Sequence, residues 1–282
     1  MITTNLNIYY HPEQCFDPKS YSKSPVKPSY LFERLKNEPI PNTEVVTPEA
    51  VLPGVLSMIH DPLYVMDVLN GVTPNGFGKH STPEQARALL LTAGNFLDAA
   101  DDALAREAIT VSLTSGAHHA CYAHGGGFCT FNFLMLAPAL NPEMRYLIVD
   151  GDAHTGNGCL DIMDRKPDLM KNVRYFQRHV LPVWKFGELL QAEVFDFDPH
   201  VIIYQAGADA WEHDPLGMGP YTKEQLMERD RAVLNLGVPT VITLAGGYAE
   251  DYNDTLEIHM STLRIAAEMW YDRQSGNYGP EG

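Results

Sequence analysis

Apolar and polar positions along this chain follow two periods that take turns. Short apolar runs rich in Val, Ile and Tyr, bounded by Gly, Pro, Asn or Asp, occur at 5–10, 44–47, 109–113, 146–149, 173–176, 201–204 and 239–244. That pattern predicts strands. Between them, apolar residues recur at three- and four-residue spacing. The clearest case runs from Thr82 to Arg106, with Leu89, Leu90, Ala93, Phe96, Leu97 and Ala100 on one stripe. Further helices are predicted over 29–37, 181–192, 222–236 and 253–271, and the mixed stretch 161–170 is compatible with one. Thr47-Pro48-Glu49, Asp61-Pro62 and Thr82-Pro83-Glu84 each set a capping side chain before a proline, which predicts three helix starts, the second leading to Asn70. The segments 11–28 and 71–80 are rich in turn formers and read as loops. The tail after Gln274 is expected to fray.

Strands alternating with helices predict an α/β fold with a mainly parallel central sheet covered on both faces. No repeat or linker interrupts residues 1–282, which read as a single domain. Four of the strands run into unusual polar clusters. His118-His119 follows Leu113, Asp150 to His154 follows Val149, Asp209 follows Tyr204, and Tyr248 follows Leu244. Open parallel sheets bind ligands outside the carboxyl ends of their strands. Polar residues scattered at random would not choose that edge four times, so one site collecting all four clusters is expected.

The densest cluster is Asp150-Gly151-Asp152-Ala153-His154-Thr155-Gly156-Asn157-Gly158. Alternate residues of an extended chain face the same way, so Asp150, Asp152 and His154 would converge if the strand persisted. Crowded carboxylates are costly to desolvate without a cation or hydrogen-bonding partners. Asp and His are both good zinc ligands, and a catalytic zinc site uses three protein ligands and leaves a position open. Asp152, His154 and Asp209 are the candidate set. The plain alternatives are a polar turn at Asp150 and a helix cap at Asp209. The histidine pair, if not packing, is suited to proton transfer, because each ring's role is set by what holds its second nitrogen. Asp150 and Asn157 could supply an ionised and a neutral partner. Tyr248, on the Gly246-Gly247 turn, is suited to donate to a carbonyl oxygen that gains charge. Gly127-Phe128 offers close backbone approach and an apolar wall.

Composition narrows this picture slightly. A hydrophobic fraction of 45% and a charged fraction of 20% are ordinary for a globular protein. The net charge of −16 weighs against a nucleic-acid surface and would suit attraction of a cationic substrate, although acidic charge also serves solubility. Four cysteines, Cys15, Cys121, Cys129 and Cys159, form no C-x-x-C pair and fit a reducing cytoplasm. Neither a secretory signal nor a membrane span is expected. The most apolar stretch, 131–140, is too short for a span and contains Asn132 and Pro138.

Taken together, five motifs in order resemble the histone deacetylase family, which includes bacterial deacetylases and acetylpolyamine amidohydrolases. They are Gly116-Ala117-His118-His119-Ala120, Gly127-Phe128-Cys129-Thr130-Phe131-Asn132, the stretch from Asp150 to Gly158, Gly207-Ala208-Asp209-Ala210 with Asp214-Pro215-Leu216-Gly217, and Gly246-Gly247-Tyr248. The resemblance implies the three-layer α/β/α arginase/deacetylase fold and a zinc amidohydrolase acting on an acetylated amine, such as acetyl-lysine or an acetylpolyamine. Asp152, His154 and Asp209 would bind Zn2+. His118 and His119 would be the tandem histidines, backed by Asp150 and Asn157 respectively. Tyr248 would hold the amide carbonyl oxygen, and Gly127 and Phe128 would line the acyl channel. A structural K+ near Asp150, Asp152 and His154 is also common in that family.

The chain departs from the family in places. The His-Pro-Glu-x-Pro-x-Arg element is replaced by Ser22-Lys23-Ser24-Pro25-Val26-Lys27, although Tyr10-His11-Pro12-Glu13 and His60-Asp61-Pro62-Leu63-Tyr64-Val65 look familiar. The stretch between Gly158 and Asp209 is short where relatives carry another strand, a Gly-rich loop and the opposite aromatic wall. The loop after Gly71 is short too. A wider site is expected, and a partner subunit of a homo-oligomer could supply the missing wall. Two other readings remain: a metal- or acyl-ligand-binding homologue without turnover, and an arginase-like ureohydrolase. The second needs an Asp-rich two-metal motif that Ala153 and His154 do not provide.

Overall fold

The computed structural model describes residues 5–178 and 181–276. Seven strands form one sheet: β1 (Leu6–Tyr9), β2 (Thr43–Val46), β3 (Ile109–Ser112), β4 (Tyr146–Asp150), β5 (Val173–Gln177), β6 (Val201–Gln205) and β7 (Thr240–Thr243). Their order across the sheet is β2-β1-β3-β7-β6-β4-β5, and every neighbouring pair is parallel. The helices are α1 (Lys27–Asn37), α2 (Pro53–Leu56), α3 (Pro62–Leu69), α4 (Pro83–Arg106), α5 (Leu136–Leu140), α6 (Asn157–Arg165), α7 (Pro167–Met170), α8 (Val183–Phe197), α9 (Lys223–Leu234) and α10 (Tyr252–Ser275).

Successive strand residues divide between two cores. Leu147, Val149, Ile202, Tyr204 and Ile242 pack with Leu31 of α1, Phe186 and Leu190 of α8, Val233 of α9 and Met260 of α10. Tyr146, Ile148, Val201, Ile203 and Val241 pack with Phe96 and Leu97 of α4, Leu136 of α5 and Ile162 of α6. A strand buried on both faces has no polar alternation, which is why these runs are continuously apolar. The result is the expected three-layer α/β/α sandwich.

Two of the three proposed helix starts are real. Thr82 Oγ1 accepts from Gln85 N at 3.3 Å while Gln85 Oε1 accepts from Thr82 N at 3.2 Å, a reciprocal cap at the head of α4. Asp61 Oδ1 accepts from Leu63 N at 2.8 Å at the head of α3. The third, at Thr47-Pro48, is wrong: residues 47–52 form no helix, and α2 begins at Pro53. That segment gives its backbone donors to α4 instead, Glu49 N to Asp98 Oδ2 at 3.0 Å and Val51 N to Leu90 O at 3.3 Å. The helix comes so close that a Cβ on Gly94 would lie 1.8 Å from Glu49 O. Tertiary bonding there overrides a good local cap. The end of the tail expected to fray lies outside the described residues, beyond Gly276. Among the described residues no helix is long and apolar enough to cross a membrane.

Candidate active site

The four polar clusters follow β3, β7, β6 and β4, which are contiguous in the sheet. Because all are parallel, their carboxyl ends lie on one edge, and the side chains they release share one space.

Asp150, Asp152 and His154 do not alternate along a strand. β4 stops at Asp150, and the chain bends so that Asp152 Oδ1 accepts from His154 N at 2.9 Å, a local turn that competes with further extension. Asp150 therefore faces elsewhere, accepting from Asp152 N at 3.0 Å and pairing with His118. The bend turns His154 onto the carboxylates. Its Nδ1 lies 3.0 Å from Asp152 Oδ1 and 3.0 Å from Asp209 Oδ2. Asp209 sits in a single 3-10 turn after β6 but does not cap it; its Oδ1 accepts from Ala153 N at 3.2 Å.

One ligand atom from each of Asp152, His154 and Asp209 lies within 4.8 Å of the others. Atoms grouped this closely could hold one metal ion between them. Both carboxylates are buried, and burial together with the Asp152 charge pushes Asp209 above the usual carboxylate range. Hydrogen bonds to Asp152 and Asp209 hold the His154 imidazole up at about 10. A buried anionic pair of this kind calls for positive charge between its members, and the donor set fits a divalent metal. Gly246 closes the site from β7, donating its N–H to Asp152 Oδ2 at 2.8 Å. A Cβ there would stand 2.3 Å from Asp209 Oδ2, so no larger residue permits this approach.

The two histidines have different partners. His118 is buried and its Nδ1 is 2.8 Å from Asp150 Oδ2. Burial opposes its charge, but Asp152 and Asp150 outweigh that and hold it up at about 9. His119 is half-buried, with Nδ1 2.7 Å from Asn157 Oδ1. Burial and the neighbouring His118 hold it below the usual imidazole range. The rings lie 4.1 Å apart, so one carries charge beside another that resists it.

Tyr248 leaves β7 on the glycine turn, and its backbone N–H donates to Asp214 Oδ2 at 2.6 Å. Asp214 Oδ1 accepts from Leu216 N at 3.0 Å and Gly217 N at 2.9 Å, which anchors that loop. Burial, then the Asp152 and Asp209 charges, keep the Tyr248 phenol protonated and able to donate. Phe128 stands 5.8 Å from the Tyr248 ring and 6.0 Å from Phe77, which it stacks at 27°. Its backbone is left-handed, φ 63°, a strained setting for a bulky residue. Gly127 lies against His119. β5 lies between Gly158 and Asp209, and residues 178–182 separate it from α8. Among the described residues the rings paired with Phe128 are Phe77 and Tyr248.

Several neighbours of the site escaped sequence reasoning. Lys27 Nζ, fully buried, donates to Ala245 O at 2.6 Å and Gly246 O at 3.3 Å, holding the turn that carries Tyr248. Burial lowers it to about 8 against the pull of Asp209 and Asp152. Arg229, buried and paired with Asp230, donates to Gly151 O at 2.8 Å and Gly207 O at 3.0 Å. Its signal was an arginine on the buried stripe of Leu226 and Val233. Tyr175 and Gln177 on β5 reach Asp150 and the His154 backbone, and Phe77 comes from a loop. Nothing local marks these three.

Comparison with known proteins gives a consistent picture. A family model described as "Histone deacetylase domain" matches residues 21–183 and 182–263. A probable deacetylase of Methanothermobacter thermautotrophicus is 27% identical over 72% of this chain and 75% of its own. An uncharacterized protein of Picosynechococcus is 26% identical over 93% of this chain and 99% of its own. The crystal structure of an acetylpolyamine aminohydrolase from Burkholderia pseudomallei superposes with a TM-score of 0.75 at 17% identity, covering 94% of this chain and 99% of the other.

Proposed function

This chain belongs to the histone deacetylase family, and we propose that it is a zinc-dependent amidohydrolase that releases acetate from an acetylated amine, either acetyl-lysine or an acetylated polyamine. Hydrolysis of acyl amides is the general chemistry the family supports. The observation that carries the finer reading is His154 Nδ1 at 3.0 Å from each of two buried carboxylates, directly beside a histidine pair whose second nitrogens are held by different groups.

A zinc ion held by Asp152, His154 and Asp209 would supply Lewis-acid polarisation of the acyl carbonyl and acidification of the attacking water. His119 donates Nδ1–H to Asn157, which leaves Nε2 free to take a proton from that water. Burial and the neighbouring His118 hold this ring below the usual imidazole range, which favours the unprotonated form a base requires. His118 holds its proton against Asp150 and acts through its charge and later as a donor toward the leaving amine. Tyr248 donates its phenol proton to the carbonyl oxygen as charge gathers there. Phe128 and Phe77 give one apolar wall, and the net charge of −16 favours approach of a cationic amine.

The test is to measure bound metal, then acetate released from acetyl-lysine peptides and acetylpolyamines, in the wild type and Tyr248→Phe. Zinc at one equivalent with turnover lost in Tyr248→Phe is expected. Zinc without turnover on any acyl amide would favour a binding role, and urea release would favour a ureohydrolase.

A further inference from the structure

The edge strand β5 carries two side chains aimed at the back of the metal-ligand segment. Gln177 lies opposite Asp150 in the parallel register, and Tyr175, two residues earlier, shares its face. Gln177 Nε2 is 2.5 Å from His154 O and 3.4 Å from Asp152 O. Both partners are carbonyls, so the amide must present its NH2 group there. Tyr175 donates its hydroxyl to Asp150 Oδ2, the oxygen that also receives His118. Burial, and then the Asp150 charge, keep that phenol protonated.

These acceptors belong to Asp150, Asp152 and His154, the residues around which the family resemblance places a structural potassium ion. A monovalent cation is held by converging oxygens that replace its water shell. Here the point on which the two carbonyls converge is taken by a nitrogen carrying protons, and the carboxylate oxygen has a hydroxyl aimed at it. The residues therefore do not fit the ion. The chain has made room for the substitute: a Cβ on Gly156 would lie 1.8 Å from the Tyr175 hydroxyl oxygen. From α9, Arg229 Nη1 ties Gly151 O and Gly207 O. Side-chain donors fixed by the fold thus bind the backbone oxygens of Gly151, Asp152 and His154.

We propose that Gln177 and Tyr175 are positioning residues that take the place of a structural monovalent cation, fixing the Asp152–His154 segment and the Asp150 carboxylate without potassium. The proposal rests on the reading of Asp152, His154 and Asp209 as a metal site, but not on any acyl substrate. A cation that binds only the folded chain raises its melting temperature, by several degrees when present on the order of a hundredfold above its dissociation constant.

The wild-type chain, dialysed against choline chloride, is to be melted in KCl and in choline chloride at equal ionic strength, and its retained potassium measured by elemental analysis. Equal melting temperatures and no stoichiometric potassium are expected. A saturable, potassium-specific rise in melting temperature, or one equivalent of retained potassium, would overturn the proposal without any variant being made. In the second arm, Co2+ is titrated into metal-stripped wild type and Gln177→Ala and followed by its absorption bands. Weakening of Co2+ binding by roughly tenfold to a hundredfold is expected, the usual effect of losing a group that orients a ligand. Unchanged Co2+ affinity in Gln177→Ala would show that Gln177 positions nothing. Failure of the deacetylase reading leaves both measurements standing, since neither follows acyl hydrolysis.

Discussion

His119 turns its Nδ1 onto Asn157 Oδ1 at 2.7 Å, while the adjacent ring turns the same atom onto a carboxylate. A neutral acceptor orients the imidazole without adding negative charge, while burial and the neighbouring His118 hold its pKa below the usual range. The unprotonated form is the base, so activity should rise with pH through that pKa. Asn157→Asp would stabilise the protonated ring and move the acid limb of kcat/KM to higher pH, by about one unit. His119→Ala should lower kcat by roughly 10²–10⁴-fold. A pH–rate profile of each variant checks this; an unmoved acid limb in Asn157→Asp would count against His119 as the base.

Tyr248 is placed to donate to an oxygen whose charge grows during the reaction, so its loss should fall on kcat rather than KM. Tyr248→Phe is expected to reduce kcat by about 10²–10³-fold, the usual effect of removing one such donor. Steady-state kinetics on an acetyl-lysine peptide would reveal the split. A change confined to KM would make Tyr248 a binding residue only.

Gly246 admits the backbone to within reach of both candidate ligand carboxylates, Asp152 and Asp209. Gly246→Ala would set a methyl 2.3 Å from Asp209 Oδ2, so Asp209 must move. Loss of bound zinc and of activity is expected, with a melting temperature that no longer responds to added Zn2+. The wild type should lose activity to a chelator and regain it with metal, and metal should raise its melting temperature by mass action. Metal content by elemental analysis and thermal melts read both effects.

His60 makes a pH-dependent contribution to stability away from the candidate active site. It is buried, its Nδ1–H donates to Cys121 O at 2.9 Å, and its Nε2 accepts from Asn132 N at 2.9 Å. Protonation would set two N–H groups against each other, and burial lowers its pKa to about 4. The unfolded ring takes a proton near 6.5, so the unfolded state binds more protons between those values. The contribution is present above the unfolded pKa and is lost as pH falls toward 4, by about 3 kcal/mol at most. Urea midpoints at pH 7 and pH 4.5 should fall further apart in the wild type than in His60→Gln.

Much of this architecture was legible in the linear pattern. Alternation of apolar runs with three- and four-residue spacing marked the strands and the long helices, because each reflects which faces a segment must bury. The polar clusters after β3, β4, β6 and β7 marked the edge where their side chains gather, and their residue types suggested a metal and a proton-transfer pair. The helix misplaced at Thr47 shows the limit of local signals, since its donors were claimed by Asp98 and Leu90 on α4.

Asp150 and Asp152 show the same division inside the site. Their identities and spacing were enough to suggest a metal, but spacing alone put them on one face. The bend after Asp150, held by the Asp152–His154 turn, sent one carboxylate to His118 and the other to His154 and Asp209. Lys27, Arg229, Tyr175 and Gln177 became neighbours of the site through helix packing and the pairing of β4 with β5, contacts between residues far apart in the chain. Residue type and period travel with the chain, so they could be read from it directly. Which donor meets which acceptor depends on how separate segments pack, and here that packing placed Gln177 and Tyr175 against the Asp150–His154 segment, at a position that no local pattern foretells.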